Sequence, residues 1–133
     1  MPLVSVGRVN TVLYCDAWAA TVGFYRDVLG FTVEHESDWF VEFRLTDSAF
    51  LSVADQRRAT IHAVGGQGIT LTFQTTDITE TRALLEARGI VTTAITRRWG
   101  ADVFYTHDPE GHRIEFWSDA SHAERGSPTL GPT

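Results

Sequence analysis

Cysteine is nearly missing from this chain: one, Cys15, in 133 residues excludes an intrachain disulfide framework. Set in an apolar strand, that thiol reads as buried and inert rather than nucleophilic. Positive charge is also in deficit. Eleven Lys and Arg stand against seventeen Asp and Glu, a net charge of -6, and apart from Arg57-Arg58 and Arg97-Arg98 the cations are scattered. Such a chain has no basic surface with which to displace counterions from a phosphate backbone, which argues against nucleic acid as a partner. No apolar run approaches the length of a membrane span, and the opening Met1-Pro2-Leu3-Val4-Ser5-Val6-Gly7 lacks the basic and apolar regions of a signal peptide. The expectation is a cytoplasmic protein without membrane contact. The segment from Ser118 onward, SDASHAERGSPTLGPT, has no periodicity and little to bury, so 119–133 is expected to be a flexible tail behind a single domain over 1–118.

Metal-ligand spacing is absent as well. His35 falls in an early strand, His62 near a linker, His107 and His112 flank a turn, and His122 is in the tail. Each reads as a surface or hydrogen-bonded residue. His112 and Glu115 are three apart in a strand and therefore point to opposite faces.

What the sequence does contain is a duplication. A strand Val9 to Cys15, Asp16, a helix Trp18 to Leu29 and Gly30 are echoed by a strand Ile69 to Thr75, Asp77, a helix Ile78 to Arg88 and Gly89. In both copies the Asp is placed to cap the helix and the Gly to stop it. Ala20, Phe24, Tyr25, Val28 and Leu29 form the apolar stripe of the first helix, and Leu84 and Leu85 that of the second. Further strands are expected at Phe31 to Glu36, Trp39 to Leu45 and Ala49 to Ala54, and again at Ile90 to Ile95, Asp102 to Thr106 and His112 to Trp117. Arg57 to Gln67 is the linker, and Asp108-Pro109-Glu110-Gly111 is a hairpin turn. The fold class is α+β, two tandem β-α-β-β-β modules at about 8–55 and 68–118, each too small to stand alone.

Phe24-Tyr25-Arg26-Asp27-Val28-Leu29-Gly30-Phe31 after a strand and Asp, Trp99-Gly100 before the last strand pair, and Asp108-Pro109-Glu110-Gly111-His112-Arg113-Ile114-Glu115-Phe116 together resemble the vicinal oxygen chelate superfamily, the glyoxalase, bleomycin-resistance and extradiol-dioxygenase group, over about residues 8 to 117. The resemblance implies that the strands curl as a mixed sheet around a cavity, that two chains pair as a homodimer, and that metal-using members bind one divalent ion on the first and last strands of each module. Carried onto this chain, those positions are Asn10, Ser52, Thr70 and Glu115. Only Glu115 is of the expected type. A divalent ion needs three or more strong donors from His, Asp, Glu or Cys, and Asn, Ser and Thr are weak neutral ones, so a metal cofactor is disfavoured though an unorthodox set remains open.

Strand alternation puts Asn10, Val12 and Tyr14, Phe40, Glu42 and Arg44, Phe50 and Ser52, Thr70, Thr72 and Gln74, and Arg113, Glu115 and Trp117 on the cavity side. Val41, Phe43, Leu45, Ile69, Leu71, Phe73, Ile114 and Phe116 fall on the opposite, helix-covered side. Aromatic walls with a few placed polar groups suit a partly flat organic ligand, with Trp99 able to close over it. Glu42 and Arg44 are either an ion pair or, through Arg44, a hold on a ligand carboxylate or phenolate. Glu115 is the candidate general acid or base, or else hydrogen-bonded to Arg113 or another neighbour. The leading expectation is a protein that binds an aromatic or polyketide-like compound in a metal-free cavity, as in drug binding or antibiotic resistance. The alternatives are a metal-free lyase, isomerase or cyclase using Glu115 with Arg44 or Gln74 on an oxyanion, and a metal-dependent lyase or dioxygenase.

Overall fold

Alternation of apolar and polar residues builds the same four-stranded mixed sheet twice in the computed structural model, which describes residues 3–120. The chain divides into two compact units, Met1–Gln67 with Pro109–Gly111, and Gly68–Asp108 with His112–Thr133. The first holds β1 (Val9–Cys15), α1 (Trp18–Gly23), β2 (Thr32–Glu36), β3 (Phe40–Arg44) and β4 (Ala49–Asp55). The second holds β5 (Thr70–Gln74), α2 (Ile78–Ala87), β6 (Thr96–Arg98), β7 (Ala101–His107) and β8 (Arg113–Asp119). The strand orders, β1-β4-β3-β2 and β5-β8-β7-β6, are equivalent, each with one parallel pair between its first and last strand. The sheets are curled and not closed.

One face of each sheet is the core. Leu13, Val41, Phe43, Leu51 and Val53 are buried in the first unit, and Leu71, Phe104, Ile114 and Phe116 in the second. Each such side chain contributes about 1.5–3 kcal/mol when removed from water. Tyr25, fully buried, stacks on Phe31 at 6.0 Å and meets Phe43 at 6.1 Å, which ties the helix to its sheet. Cys15 is buried, as its strand position predicts.

Several local expectations need correction. The first helix is not α-helical to Leu29: after Gly23 it widens into a π-helical turn over Phe24–Val28, with the Leu29 amide donating to the Phe24 carbonyl at 3.0 Å. The wider turn lets consecutive Phe24 and Tyr25 both turn inward, edge to face at 5.3 Å. In the α-helical part Ala20 is exposed, while Thr21 and Val22 are buried. Asp16 does not cap α1; the N-cap is Ala17, and Asp16 instead accepts from Gln56 Nε2 at 3.1 Å. The Ala17 amide donates to Glu110 Oε1 at 2.7 Å. In α2 the expected cap holds, Asp77 accepting from the Glu80 amide at 3.0 Å, but Leu84 is exposed and Ile78 joins Leu85 in the buried stripe.

No strand forms over Ile90 to Ile95. That segment meets β7 through one backbone hydrogen bond, the Thr93 amide to the Tyr105 carbonyl at 3.0 Å, and otherwise through threonine side chains, Thr93 Oγ1 accepting from the Tyr105 amide and Thr106 Oγ1 donating to the Val91 carbonyl, without a continuous ladder. The ordered strand also runs past the expected boundary at 118: β8 ends at Asp119, and the buried Ala120 donates its amide to the Gly100 carbonyl at 3.1 Å. The rest of the expected tail lies outside the described residues.

Candidate functional site

On the face of the second sheet away from Ile114 and Phe116, three rows of register partners cross the strands. They are Thr70, Arg113 and His107; Thr72, Glu115 and Tyr105; and Gln74, Trp117 and Val103. Partners across a ladder share a face, so a polar and aromatic surface follows from the register alone. In the middle row Glu115 Oε1 accepts from Thr72 Oγ1 at 2.8 Å and Oε2 accepts from the Tyr105 hydroxyl at 3.1 Å. Glu115 is half-buried, Thr72 exposed. Burial, and next the hydrogen bond to the Glu115 carboxylate, raise the Tyr105 phenol above its ordinary value of 10.0. In the row beside it, Arg113 Nε donates to Thr70 Oγ1 at 2.9 Å, and the guanidinium lies over the Tyr105 ring at 4.7 Å.

The corresponding face of the first sheet has rows Asn10, Phe50 and Arg44; Val12, Ser52 and Glu42; and Tyr14, Ala54 and Phe40. Glu42 accepts from Asn10 Nδ2 at 3.2 Å and pairs with Arg8 at 3.3 Å, while Ser52, fully buried, donates to Asn10 Oδ1 at 2.8 Å. Arg8 sits over the Phe50 ring at 3.5 Å. Tyr14 and Phe40 are half-buried, Phe40 packing edge-on to Trp39 at 5.5 Å. The suggested Glu42–Arg44 pair does not form: Arg44, one register step further out, pairs with Asp47 of the following turn. Nor does Glu115 pair with Arg113; its partners are the two hydroxyls.

The ladders thus place every strand residue of the predicted cavity side on the predicted face within its own unit. Trp99 is 69% exposed at the tip of the β6–β7 hairpin, where it and Gly100 both take positive φ, 57° and 76°. Two participants were missed, Arg8 and Tyr105. Arg8 precedes its strand and had no alternation to place it. Tyr105 was legible, because it stands one residue before Thr106 in an expected strand, and its face would have followed once β7 was paired with β8.

The register makes Ser52 and Glu115 equivalent, each flanked by the first and third strands of its sheet, and likewise Asn10 and Thr70. As metal donors these residues fit poorly. Asn10 Oδ1 and Thr70 Oγ1 already accept from Ser52 and Arg113, and both Glu115 oxygens accept from hydroxyls. Among the described residues no three His, Cys, Asp or Glu side chains converge. His112, the nearest histidine in sequence, is buried and bonded through Nδ1 to Asp108 Oδ2 at 2.8 Å. The donor set does not suit a divalent ion. An open groove of about 490 Å³ along α2, lined by Thr79, Arg82, Ala83, Glu86, Ala87 and Ile95, contains an internally satisfied Arg82–Glu86 pair at 3.1 Å and no aromatic side chain.

Two curled mixed sheets of equivalent order define an α+β protein built by duplication. The chain belongs to the glyoxalase/bleomycin resistance protein/dioxygenase superfamily, whose model matches residues 7–116. Among solved structures it is similar to a lactoylglutathione lyase from Agrobacterium tumefaciens, at 27% identity and TM-score 0.69, covering 89% of this chain and 95% of that one. It is also similar to a glyoxalase/bleomycin resistance protein/dioxygenase from Nocardioides, at 21% identity and TM-score 0.70, covering 97% and 94%. An antibiotic binding protein from Streptomyces shares the fold at 17% identity and TM-score 0.73, covering 90% and 99%. No curated protein matches by sequence search. Among the described residues no helix is long and apolar enough to cross a membrane.

Proposed function

We propose that this protein binds a small aromatic or polyketide-like compound without a metal, acting as a cytoplasmic homodimer of the drug-binding type. The observation that carries the reading is the middle row of the second sheet. Glu115, the one strong donor among the positions that the resemblance marks for metal, is instead held by two hydroxyls beside the Tyr105 ring. A half-buried aromatic surface with fixed polar groups supplies affinity through flat faces and orientation through hydrogen bonds. The fold itself accommodates both binding and catalysis, as its antibiotic-binding and lyase examples illustrate.

The test is elemental analysis of untagged protein, thermal unfolding with and without chelator, and titration with aromatic compounds. Absence of stoichiometric metal, no chelator effect and saturable binding are expected. A near-stoichiometric divalent ion whose removal destabilises the fold would sink the metal-free reading.

The Tyr105–Glu115 hydrogen bond favours one second reading, a metal-free lyase, isomerase or cyclase in which Glu115 moves a proton. Glu115→Gln then abolishes turnover and spares binding, whereas equal loss of both returns the residue to a binding role.

A further inference from the structure

The arginines of the described chain mostly end on carboxylates. Arg8 pairs with Glu42, Arg26 with Asp27, Arg44 with Asp47, Arg57 with Asp55, Arg58 with Asp38, Arg82 with Glu86 and Arg97 with Asp102. Arg113 differs. Its Nε is committed to Thr70 Oγ1 at 2.9 Å and its Cζ lies over the Tyr105 ring, 4.7 Å from the centroid, and among the described residues no carboxylate comes within ion-pair distance of it. Glu115, two residues along the same face, is occupied by Thr72 and Tyr105.

The first unit offers a contrast. There too an arginine guanidinium lies over a ring, Arg8 over Phe50 at 3.5 Å, but its Nη2 reaches the Glu42 carboxylate at 3.3 Å. In the second sheet the register position of Glu42, on the third strand beside the equivalent of Ser52, is taken by Tyr105, which brings a ring and a hydroxyl but no charge. The arginine is fixed, and among the described residues no counter-charge reaches it. A guanidinium held by its Nε and set over a ring has already lost much of its rotational freedom and keeps its terminal N–H groups for a planar anion.

We infer that Arg113 is the anion clamp of the ligand site, so that the bound compound carries a carboxylate or a comparable planar anionic group attached to its aromatic body. The anion docks on the two terminal nitrogens of Arg113, and the ring system extends over the same face past Tyr105 and Glu115 toward Trp117 in the next row. Thr70 and Tyr105 position the clamp. Arg44, the candidate that the sequence suggested for this task, is already paired with Asp47. This assignment rests on the small-molecule reading proposed above.

The probes are 2-naphthoate and its neutral isostere 2-naphthamide, titrated into the full chain by calorimetry at low and moderate salt. The expected result is a preference for the carboxylate of about tenfold or more, the range of a charge-assisted pair, that weakens with salt. In Arg113→Gln the preference falls to about one, and in Arg113→Lys, which keeps the charge but loses the planar fork, it is mostly lost. Thr70→Val, which frees the guanidinium, reduces it to an intermediate value. Unchanged melting temperatures keep these results interpretable, since Arg113 is exposed. Equal binding of both probes, or a preference that survives in Arg113→Gln, overturns the clamp and leaves the small-molecule reading standing. Failure of both probes to bind at any soluble concentration overturns the clamp together with that reading.

Discussion

Tyr105 donates its phenolic hydrogen to Glu115 Oε2 at 3.1 Å, and the two are direct register partners across the antiparallel β7–β8 ladder. Burial, with the carboxylate second, raises the phenol above 10.0. The neutral phenol is therefore favoured in the folded state, and the stability that it contributes is complete below 10.0 and lost as pH rises through the higher folded value. In a spectrophotometric titration of phenolate absorbance, Tyr105→Phe should remove amplitude from the range above 10.0, and Glu115→Gln, which takes away the anionic acceptor, should move that same amplitude to lower pH. An amplitude above 10.0 that Tyr105→Phe leaves unchanged would refute the raised value.

Gly111 is the second residue whose role is sharply testable. Its φ is +109°, and a Cβ there would stand 2.5 Å from the Gly65 carbonyl oxygen, which is backbone and cannot swing aside. Gly30 also has positive φ, +74°, but nothing lies within 4 Å of the place where its Cβ would be. Gly30→Ala should cost about 1 kcal/mol, the left-handed penalty alone. Gly111→Ala should cost at least about 2 kcal/mol, because strain and collision add. Chemical denaturation of the two variants checks the order, and equal costs would refute the close approach.

The duplication, the strand faces and the family were legible because they depend on period-two alternation and on turn residues that act locally. Asn10, Phe50 and Ser52, or Thr70, Arg113 and Glu115, fall on one face by counting alone. The polar partners were not legible, because they depend on which strands become neighbours and in what register. A Glu42–Arg44 pair was one of two alternatives, and Glu42 instead meets Arg8, thirty-four residues earlier in the chain and adjacent in space. The caps show the same divide. Asp77 and Asp16 occupy equivalent places in sequence, yet Asp77 caps α2 and Asp16 bonds Gln56, while a carboxylate from Glu110 receives the Ala17 amide. Nor did helical spacing reveal the π-helical turn at Phe24–Val28, since burying two consecutive aromatics is a demand of packing.

The turn ahead of β8 is held by a buried pair. Asp108 Oδ1 accepts from the His112 amide at 3.0 Å, and Oδ2 lies 2.8 Å from His112 Nδ1. Asp108→Ala leaves two buried groups of His112 without this partner and should cost about 1–3 kcal/mol. Asp108→Asn keeps one oxygen for the amide and should cost less. Thermal melts of both variants at constant pH decide the matter, and an Asn variant as unstable as the Ala variant would show that the amide bond contributes nothing.

At the end of β4, Asp55 collects the Arg57 amide at 3.0 Å and its guanidinium at 2.6 Å from Nη2. The Arg57 side-chain hydrogen bonds, then that backbone hydrogen bond, hold the Asp55 carboxyl below its ordinary 3.8. A folded value below the unfolded one means that the stabilisation is complete above 3.8 and disappears as pH falls through the depressed value. Arg57→Gln removes the guanidinium while retaining the backbone amide, so part of the depression survives. The variant should match the wild type in shape of its stability curve near neutral pH and unfold at a higher pH on acidification. Circular dichroism followed through an acid titration reads the midpoint directly. An acid midpoint unmoved by Arg57→Gln would mean that the backbone hydrogen bond alone keeps Asp55 ionised.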